Sequence, residues 1–415
     1  MEQSGNLLNK TPAALLLKHI PKQIEKAMSF LTNIQWCDST VNPRMGCGGC
    51  ELFPSPGKVL GAIDQAVAAC GISIDSRAIY KQLINDAYAK IPKPLPGHKN
   101  AVNTTNIWHL RQLFLCLLEK KHGLIAKDAA EKTIRQAVTC YAAILHLNKA
   151  QNLLKPAYSG NIGYAPIFEM VTEYSGRAMK AANLKDLLGL YNPHTPWKDR
   201  LPRMIFVSDM GDALSSKGDF SFLKSDLIPA ITSNAGKKHL WLWLSKRPEH
   251  MAAFADEVGG LPENVCAMTT LTGPDPECLR RLAALKQINA YMRGLSIEPL
   301  RDRIPPSMLD LTGIDWVIVG GESGAGLQHT RPFAIEWAEE LRDHCRANGV
   351  AFFMKQLGRN PSRSGKVFRL QNAHGGNWDE WPDKALKIRE FPKAFHTYRK
   401  HEMKPLKALR PASVK

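Results

Sequence analysis

The stretch "RMIFVSDMGD", residues 203–212, joins a short apolar run to a group of polar residues. Five further runs of this kind follow, and each ends in polar or charged residues. The apolar runs are "RMIFV" (203–207), "HLWLWL" (239–244), "NVCAMT" (264–269), "RGLSI" (293–297), "DWVIVG" (315–320) and "VAFFM" (350–354). Between them lie helical patterns at 221–230, 248–258, 276–290 and 333–348. This alternation is typical of βα units and predicts a parallel sheet.

Polar side chains follow the predicted strands where the chain leaves them. The carboxyl ends of parallel strands meet at one edge, which is where a (β/α) barrel builds its active site. Two earlier runs, "NIQWC" (33–37) and "APIFEM" (165–170), are candidates for two more strands, with Asp38 and Glu169 in the equivalent positions. We therefore predict an α/β fold, a complete or partial (β/α) barrel with a helical insertion. The candidate positions that follow the predicted strands are Ser208, Asp209, Asp212, Lys246, Glu298, Gly321, Glu322 and Lys355.

The same pattern divides the chain into parts. The predicted parts are an N-terminal helical extension (1–32), the barrel (33–50 and 140–358), the helical insertion (51–139) and a basic C-terminal extension (359–415). The insertion has twelve basic and seven acidic residues, and its helical patterns cover 57–70, 76–90, 105–121 and 126–140. The last of them continues to 154 as one amphipathic pattern. Residues 382–415 include ten basic and three acidic residues and little core pattern, which predicts a mobile tail.

Charge and composition narrow the classes of function. The chain has 415 residues, a formal net charge of +17 and a pI near 9.5, which favours a polyanionic partner such as nucleic acid over a basic surface without a partner. No run approaches the roughly 20 apolar residues that span a bilayer, and the N-terminus lacks the pattern of a signal peptide. Nine irregularly spaced cysteines do not resemble a secreted disulfide framework, so we expect a cytoplasmic protein whose clustered thiols serve metal or redox chemistry.

The clearest cluster of thiols lies in "WCDSTVNPRMGCGGC", residues 36–50. The pair Cys47 and Cys50 has the C-x-x-C spacing, which suits zinc, an iron–sulfur cluster or a redox dithiol. A structural zinc site would be expected to add a second such pair or two histidines at short range, and the sequence has neither. A redox dithiol is expected at an early strand-to-helix turn of a thioredoxin-like unit, which this context does not resemble.

Residues 36–47 of this segment resemble the opening "W-x-D-x-T-x-N-P-x-x-G-C" of a phage-associated three-cysteine-motif family. That family is called after phage gene products thirty-seven and sixty-eight, and it is related to radical SAM enzymes, most closely to spore photoproduct lyase. Later blocks resemble the family in the same order. They are "LPRMIFVSDMGD" (201–212), "LSKRPEHM" (244–251), "SIEPL" (296–300), "IDWVIVGGESGAG" (314–326) and "AFFMKQLG" (351–358).

The resemblance implies a barrel of radical SAM type and two cofactors, a [4Fe-4S] cluster and S-adenosylmethionine (SAM). The enzyme would cleave SAM and abstract hydrogen from a substrate. The cluster ligands it implies are Cys47, Cys50 and Cys140, the last in "CYA" (140–142) and separated from Cys50 by 89 residues. Cys37 is the alternative third ligand, because Cys140 in a continuous helix would be a core thiol. The remaining cysteines are predicted to be buried in the core: Cys70, Cys116, Cys266, Cys278 and Cys345.

Residues at the strand ends are candidates for binding the cofactor or the substrate. Lys246 resembles the lysine of a Thr-Lys pair in spore photoproduct lyase, and it would pair with the SAM carboxylate unless it only lies at the rim. Ser208, Asp209 and Asp212 would accept hydrogen bonds from the SAM amine or ribose, or else cap the next helix. The remaining candidates are Gly320, Gly321 and Glu322 beside adenine or ribose, Glu298 and Lys355 in the same opening, and Tyr141 beside the cluster.

Partners follow from the charge and from the resemblance. Trp108, His109 and Arg111 of the insertion would contact nucleic acid, or else pack between helices. The resemblance implies an external electron donor and a separate three-Cys-motif partner protein. We therefore expect a radical SAM enzyme that repairs or modifies nucleic acid. The alternative is a nucleic-acid-binding protein with a structural metal and no catalysis.

Overall fold

The computed structural model describes Thr32 and residues 34–88, 111–142, 172–184, 195–198, 201–215, 219–323, 330–382 and 384–398. Twelve strands lie in these ranges. They are β1 (Ser39–Val41), β2 (Arg44–Met45), β3 (Thr172–Glu173), β4 (Met204–Val207), β5 (Leu240–Leu244), β6 (Val265–Thr270), β7 (Met292–Ile297), β8 (Trp316–Gly320), β9 (Phe333–Ala334), β10 (Ala351–Gln356), β11 (Pro361–Arg363) and β12 (Lys366–Val367).

Nine α-helices lie in the same ranges. They are α1 (Pro56–Ala68), α2 (Ser76–Tyr88), α3 (Arg111–Ala137), α4 (Arg177–Ala182), α5 (Ile228–Thr232), α6 (Pro248–Glu257), α7 (Pro276–Gln287), α8 (Ile335–Ala347) and α9 (Lys393–Thr397). A π-helical turn at Leu223–Leu227 leads into α5. The four helical patterns predicted between the strands are confirmed, with shifts of a few residues at their ends.

Seven strands form one parallel sheet in the order β1-β4-β5-β6-β7-β8-β10. The sheet curls into a half-barrel, so the partial form of the predicted (β/α) barrel is the one observed. All six strands predicted from the apolar runs after residue 200 are confirmed. The prediction of a strand at 33–37 is wrong, because Trp36 and Cys37 pack into the core ahead of the strand that begins at Ser39. The run predicted at 165–170, with Glu169, lies outside the described residues.

The two faces of the half-barrel bury different sets of side chains, because successive residues of a strand point to opposite faces. Helices α6, α7 and α8 cover the outer face, where Trp243, Phe254 and Leu341 belong to one large apolar core. The inner face carries Phe206, Met268 and their neighbours in a second core. A parallel sheet that is covered on both faces accounts for strands that are apolar throughout.

The C-terminal segment closes the inner face near the amino ends of the strands. Residues 388–390 run antiparallel to β10 and cover the edge of the sheet, with Met354 N donating to Ile388 O at 2.8 Å. Phe391 and Phe395 then pack against Trp316 on the inner face. The prediction of a mobile tail from 382 is therefore wrong as far as residue 398, since its aromatic side chains are part of the core.

Helices α1, α2 and α3 form a unit with its own apolar core, which includes Ile63, Phe114 and Ile134. Helix α3 is bent at Gly123 and ends at Ala137. The prediction of one continuous helix over 126–154 is therefore wrong at residues 138–140, which are not helical, and residues 143–154 lie outside the described ranges. Two of the five predicted core cysteines, Cys70 and Cys116, are exposed on these helices, whereas Cys266, Cys278 and Cys345 are buried as predicted.

No helix among the described residues is both long and apolar enough to cross a membrane.

Candidate functional site

The inner face of the half-barrel changes from apolar to polar toward the carboxyl ends of its strands, here called the carboxyl edge. Because side chains alternate along a strand, a residue two positions beyond an inner side chain also faces inward. On this register the inner positions at the carboxyl edge are Ser208 after Phe206, Thr270 after Met268, Gly320 after Ile318 and Lys355 after Phe353. The half-barrel therefore presents polar groups at the edge where the sequence predicts the site.

The loop 46–50, which carries Cys47 and Cys50, lies against the end of β4. Gly46 pairs with Gly211, and a Cβ added to Gly211 would lie 2.9 Å from the Gly46 carbonyl oxygen. Gly49 has a φ of +89°, a conformation that favours glycine. The amide of Gly49 donates to the Cys47 sulfur at 3.3 Å. The glycines thus permit both the close approach to β4 and the turn between the two thiols.

Cys140 lies beside this loop, although 89 residues separate it from Cys50 in the chain. Helix α3 ends before it, and the chain then returns to the cysteine loop. The carbonyl oxygen of Leu52 accepts hydrogen bonds from the amides of Thr139 and Cys140, at 3.0 and 2.9 Å. One peptide oxygen therefore joins the two cysteine-bearing segments.

The three thiols also influence one another electrostatically. Burial raises the pKa of Cys47 well above its usual range, and the neighbouring Cys140 and Cys50 raise it further. Burial raises the pKa of Cys50 to about 11, against an opposing effect of Lys246 and with a further contribution from Cys140. Thiols that resist ionisation in the free protein become thiolates when a bound cation compensates their charge. The arrangement suits a metal centre.

The alternative ligand Cys37 has a different environment. It is fully buried beside Trp36 on the apolar inner face. Burial raises the pKa of its thiol, and the charged groups that act on it are Asp38, Lys198, Asp209 and Lys355. The thiols that act on Cys47 are those of Cys140 and Cys50. Cys140 thus acts on both thiols of the C-x-x-C pair and is joined to their segment through Leu52, which makes it the better candidate for a third ligand.

The donor set can be tested against the cluster that the resemblance implies. Over the ranges that the structure describes, no three His, Cys, Asp or Glu side chains converge so as to hold one metal ion. A [4Fe-4S] cluster does not require such convergence, because each cysteine binds a separate iron atom. Cys47, Cys50 and Cys140, with the Gly49 amide donating to the Cys47 sulfur, are donors of the kind that such a cluster uses.

Lys246 lies between the cysteine segments and a buried ion pair. Burial lowers the pKa of Lys246, but the nearby Cys50, Glu51 and Cys140 outweigh that effect and raise it. Glu51 accepts from both terminal nitrogens of Arg281, at 3.0 and 2.7 Å. Despite burial, this bidentate contact and Lys246 lower the pKa of Glu51 to about 2. The predicted cofactor-binding lysine is thus a partly buried cation near two of the thiols.

The predicted residues after β4 lie together. Ser208 adopts a φ of +72°, which is strained for a residue other than glycine, and its Oγ accepts from the Ala213 amide at 3.1 Å. Asp212 is buried, and both its oxygens accept from the Ser245 hydroxyl, at 2.9 and 3.0 Å. Arg247 forms a further ion pair with Asp212 at 3.6 Å. These contacts join the end of β4 to the end of β5.

Asp209 and Tyr141 meet at the same edge. The Tyr141 hydroxyl donates to the main-chain oxygen of Asp209, and the Asn42 amide donates to the carboxylate of Asp209. Burial raises the pKa of Asp209. Tyr141 is half exposed, so the residue that follows Cys140 lies at the surface of the site rather than within the core.

The ends of β7, β8 and β10 carry the remaining candidates. Nζ of Lys355 lies 3.1 Å from Oε1 of Glu298. Gly320 lies between these side chains, and a Cβ added to it would lie 2.5 Å from the same carboxylate oxygen. Beyond β8, Glu322 accepts from the amide of Arg331 at 3.1 Å. Apart from Asp38 and Glu169, the predicted strand-end residues therefore lie at one edge. The prediction for Asp38 is wrong, because β1 begins after it: Asp38 lies at the amino end of the sheet, where its carboxylate accepts from Nζ of Lys198 and from the Met204 amide, both at 2.8 Å.

Of the three residues predicted to contact nucleic acid, only Arg111 lies in a described range. Trp108 and His109 lie outside the described residues. Arg111 is the first residue of α3, where it is partly buried, and burial lowers its pKa.

Sequence reasoning missed three arginines that contact the cysteine segments. Arg281 binds Glu51, and Arg247 donates to the carbonyl oxygen of Gly49 at 3.0 Å. Arg331 donates to the hydroxyl of Thr139 at 2.9 Å. Arg247 stands in the "SKRP" block that was noted for Lys246, so a signal was present. On the cysteine segments, Arg247 and Arg331 bind a main-chain oxygen and a hydroxyl. Acceptors of this kind leave no pattern in the sequence.

The fold and the site define an α/β half-barrel protein with three neighbouring cysteines at the carboxyl edge of its sheet. The chain belongs to the DUF5131 family, described as proteins of unknown function, whose model matches residues 136–382. The matched range includes Cys140 and β4 to β10, and it begins after the loop that carries Cys47 and Cys50. Neither a curated protein nor a solved structure matches the chain.

Proposed function

We propose that this protein is a radical SAM enzyme that acts on nucleic acid. The observation that carries the proposal is the meeting of Cys47, Cys50 and Cys140 at the carboxyl edge of a parallel half-barrel, from segments 89 residues apart. Such an edge is the usual place for an active site in barrel folds. Thiols with a purely structural role in the core would have no reason to gather there.

The residues present suggest how the cofactors would be held. Cys47, Cys50 and Cys140 would bind a [4Fe-4S] cluster, which supplies the electron for reductive cleavage of SAM at the iron without a protein ligand. Lys246, as a partly buried cation near the thiols, is suited to a carboxylate of the bound cofactor. The apolar residues below the carboxyl edge, such as Phe206 and Met268, would exclude water from the reaction.

The nucleic-acid substrate is supported by charge. The net charge of +17 is well above what solubility requires, and a polyanion is the partner that such a surface attracts. The acidic groups at the carboxyl edge are largely paired with cations, as in Glu298–Lys355 and Glu51–Arg281. These pairs lower the repulsion that unpaired carboxylates would exert on phosphates.

The test is anaerobic purification followed by iron and sulfide analysis and a SAM-cleavage assay with dithionite. We expect a brown protein that releases 5′-deoxyadenosine, and we expect the rate to respond to one of duplex DNA, single-stranded DNA or RNA added in turn. Substitution of Cys47, Cys50 or Cys140 by Ala should abolish loading of the cluster. Cys37→Ala and Cys345→Ala, which remove buried thiols elsewhere, should retain it.

Two outcomes would count against the proposal. A colourless protein with one zinc per chain would favour a nucleic-acid-binding protein with a structural metal. Loss of the cluster in Cys37→Ala, with full loading in Cys140→Ala, would reject the assignment of the third ligand.

A further inference from the structure

The cysteine loop is fixed to the barrel by one arginine at the end of β5. Nη2 of Arg247 donates to the carbonyl oxygen of Gly49, the second of the two residues between Cys47 and Cys50, at 3.0 Å. Nη1 of the same side chain lies 3.6 Å from Oδ2 of Asp212. Asp212 is held in turn by the Ser245 hydroxyl and by the main chain of Leu214. These contacts therefore tie the cysteine loop to the segments that follow β4 and β5.

The Cys140 segment is fixed by a second arginine in the same way. Nη2 of Arg331 donates to Oγ1 of Thr139 at 2.9 Å. The Arg331 amide donates to Oε2 of Glu322 at 3.1 Å, and Nε lies 3.9 Å from the same oxygen. Glu322 follows β8, and its side chain is largely buried. Each cysteine segment thus has its own carboxylate–arginine pair, on opposite sides of the half-barrel.

We infer that Arg247 and Arg331 are positioning residues that hold the two cysteine segments at the spacing the site requires. The inference rests on the proposed function for its purpose, but the contacts themselves do not depend on a cofactor. It also gives Asp212 and Glu322 a role in orienting these arginines. Their carboxylates already accept hydrogen bonds from the protein, in addition to any contact with a ligand.

Arginine suits this role because its planar guanidinium can bind a carboxylate and a second acceptor at once. A lysine at either position would present a single ammonium and satisfy both acceptors less well. Loss of a hydrogen bond that involves a charged group should raise the population of the detached loop by roughly tenfold or more. Without the arginine, each segment would move independently of the barrel.

The test measures the mobility of the thiols in the full-length, reduced, metal-free protein. Alkylation by iodoacetamide is followed at each cysteine by peptide mass spectrometry, for the wild type, Arg247→Met, Arg331→Met and the milder Thr139→Val. We expect Arg247→Met to accelerate alkylation of Cys47 and Cys50 by about tenfold and Cys140 much less. Arg331→Met and Thr139→Val should show the reverse pattern. Loss of a nearby positive charge would by itself raise a thiol pKa and slow alkylation, so acceleration reports movement.

The chain supplies its own controls. Arg303→Met breaks the exposed pair of Arg303 with Glu340 and should leave all the rates unchanged. The buried Cys266 and Cys345 report global unfolding. If they react in an Arg→Met variant, the milder Thr139→Val or Arg247→Lys takes its place, and the alkylation rates of that variant are compared with those of the wild type. Equal acceleration of the three thiols, or none, would overturn the inference. Failure of the wild type to bind a cluster would reject the proposed function and leave this measurement valid.

Discussion

Glu298 and Lys355 form an ion pair across the top of β8, with Nζ and Oε1 separated by 3.1 Å. The strands that carry them are not neighbours, since β8 lies between β7 and β10. The pair can close only because β8 ends there in glycine, where any Cβ would meet the Glu298 carboxylate. A small residue in the middle strand therefore permits a contact between the outer two.

Substitution of these glycines should have graded effects. In Gly320→Ala the obstacle is the mobile end of Glu298, so the carboxylate should move away from Lys355 at a cost of about 1 kcal/mol. In Gly321→Ala the obstacle is the main-chain oxygen of Leu357, and we expect a loss of about 3 kcal/mol. Urea unfolding measures both.

Gly61→Ala is the matched control, because the added methyl group meets open space within α1. It should be neutral or stabilising by up to about 1 kcal/mol. An equal loss in all three variants would contradict the steric explanation.

The Glu51–Arg281 pair should make stability depend on pH. The folded-state pKa of Glu51 is about 2, below its ordinary 4.5, so its contribution is complete above pH 4.5 and is lost as the pH falls toward 2. The shift corresponds to about 3 kcal/mol. Glu51→Gln should therefore lower the free energy of unfolding by about that amount at pH 6 and by about half as much at pH 3.

Glu257→Gln is the control for this prediction. It removes an exposed pair with Lys224 and should change stability by less than about 0.5 kcal/mol at either pH. A pH-independent effect of Glu51→Gln would show that the carboxylate charge is not what the pair contributes.

Arg389 should anchor the C-terminal segment through two tryptophans. Its guanidinium carbon lies 3.7 Å from the ring centre of Trp197 and 4.4 Å from that of Trp378. Burial lowers its pKa to about 10, which leaves it charged at neutral pH and available for cation–π contact. Arg389→Ala should cost about 1–2 kcal/mol and increase proteolysis within residues 384–398. Lys393→Ala, at an exposed position of the same segment, should do neither.

Phe395 should contribute more than any charged residue of that segment. Its side chain is fully buried against Trp316. Phe395→Ala would leave a cavity on the inner face and should lower the free energy of unfolding by about 3–5 kcal/mol, measured by urea denaturation. Tyr291→Ala, at an exposed ring, should change it by less than about 0.5 kcal/mol. A small effect of Phe395→Ala would mean that the segment is not part of the cooperative fold.

The sequence predicted the strands of the half-barrel well because each is an uninterrupted apolar run that ends in polar residues. It failed at β1, where the polar residues Ser39 and Thr40 form the strand and the apolar Trp36 and Cys37 before it only fill the core. It also failed for the tail, because two buried phenylalanines in a basic segment carry less signal than the charges around them.

The candidate site was predicted in part. Most strand-end positions followed from the parallel sheet, and the structure brings them together at one edge. Asp38 lies at the other edge, because β1 begins after it. The pairing of Cys140 with the C-x-x-C loop depends on a contact between residues 52 and 139, which the helical pattern suggested would lie inside a helix. Whether these thiols hold a cluster stays a prediction. The arginine contacts left little signal. Only Arg247 stands in a block that the sequence singled out, and the acceptors of Arg247 and Arg331, a main-chain oxygen and a hydroxyl, have no pattern of their own.

The double hydrogen bond at the Leu52 carbonyl has a further consequence for how such sites are recognised. The polypeptide leaves this oxygen at residue 52 and returns to it at residues 139–140, so the segment between Cys50 and Cys140 can lengthen or shorten without displacing either cysteine. Proteins with this arrangement need not have the same number of residues between these two cysteines. A sequence search that requires a constant number of residues between the two cysteines would overlook them. A search that scores the C-x-x-C segment and the Cys140 segment separately would find them.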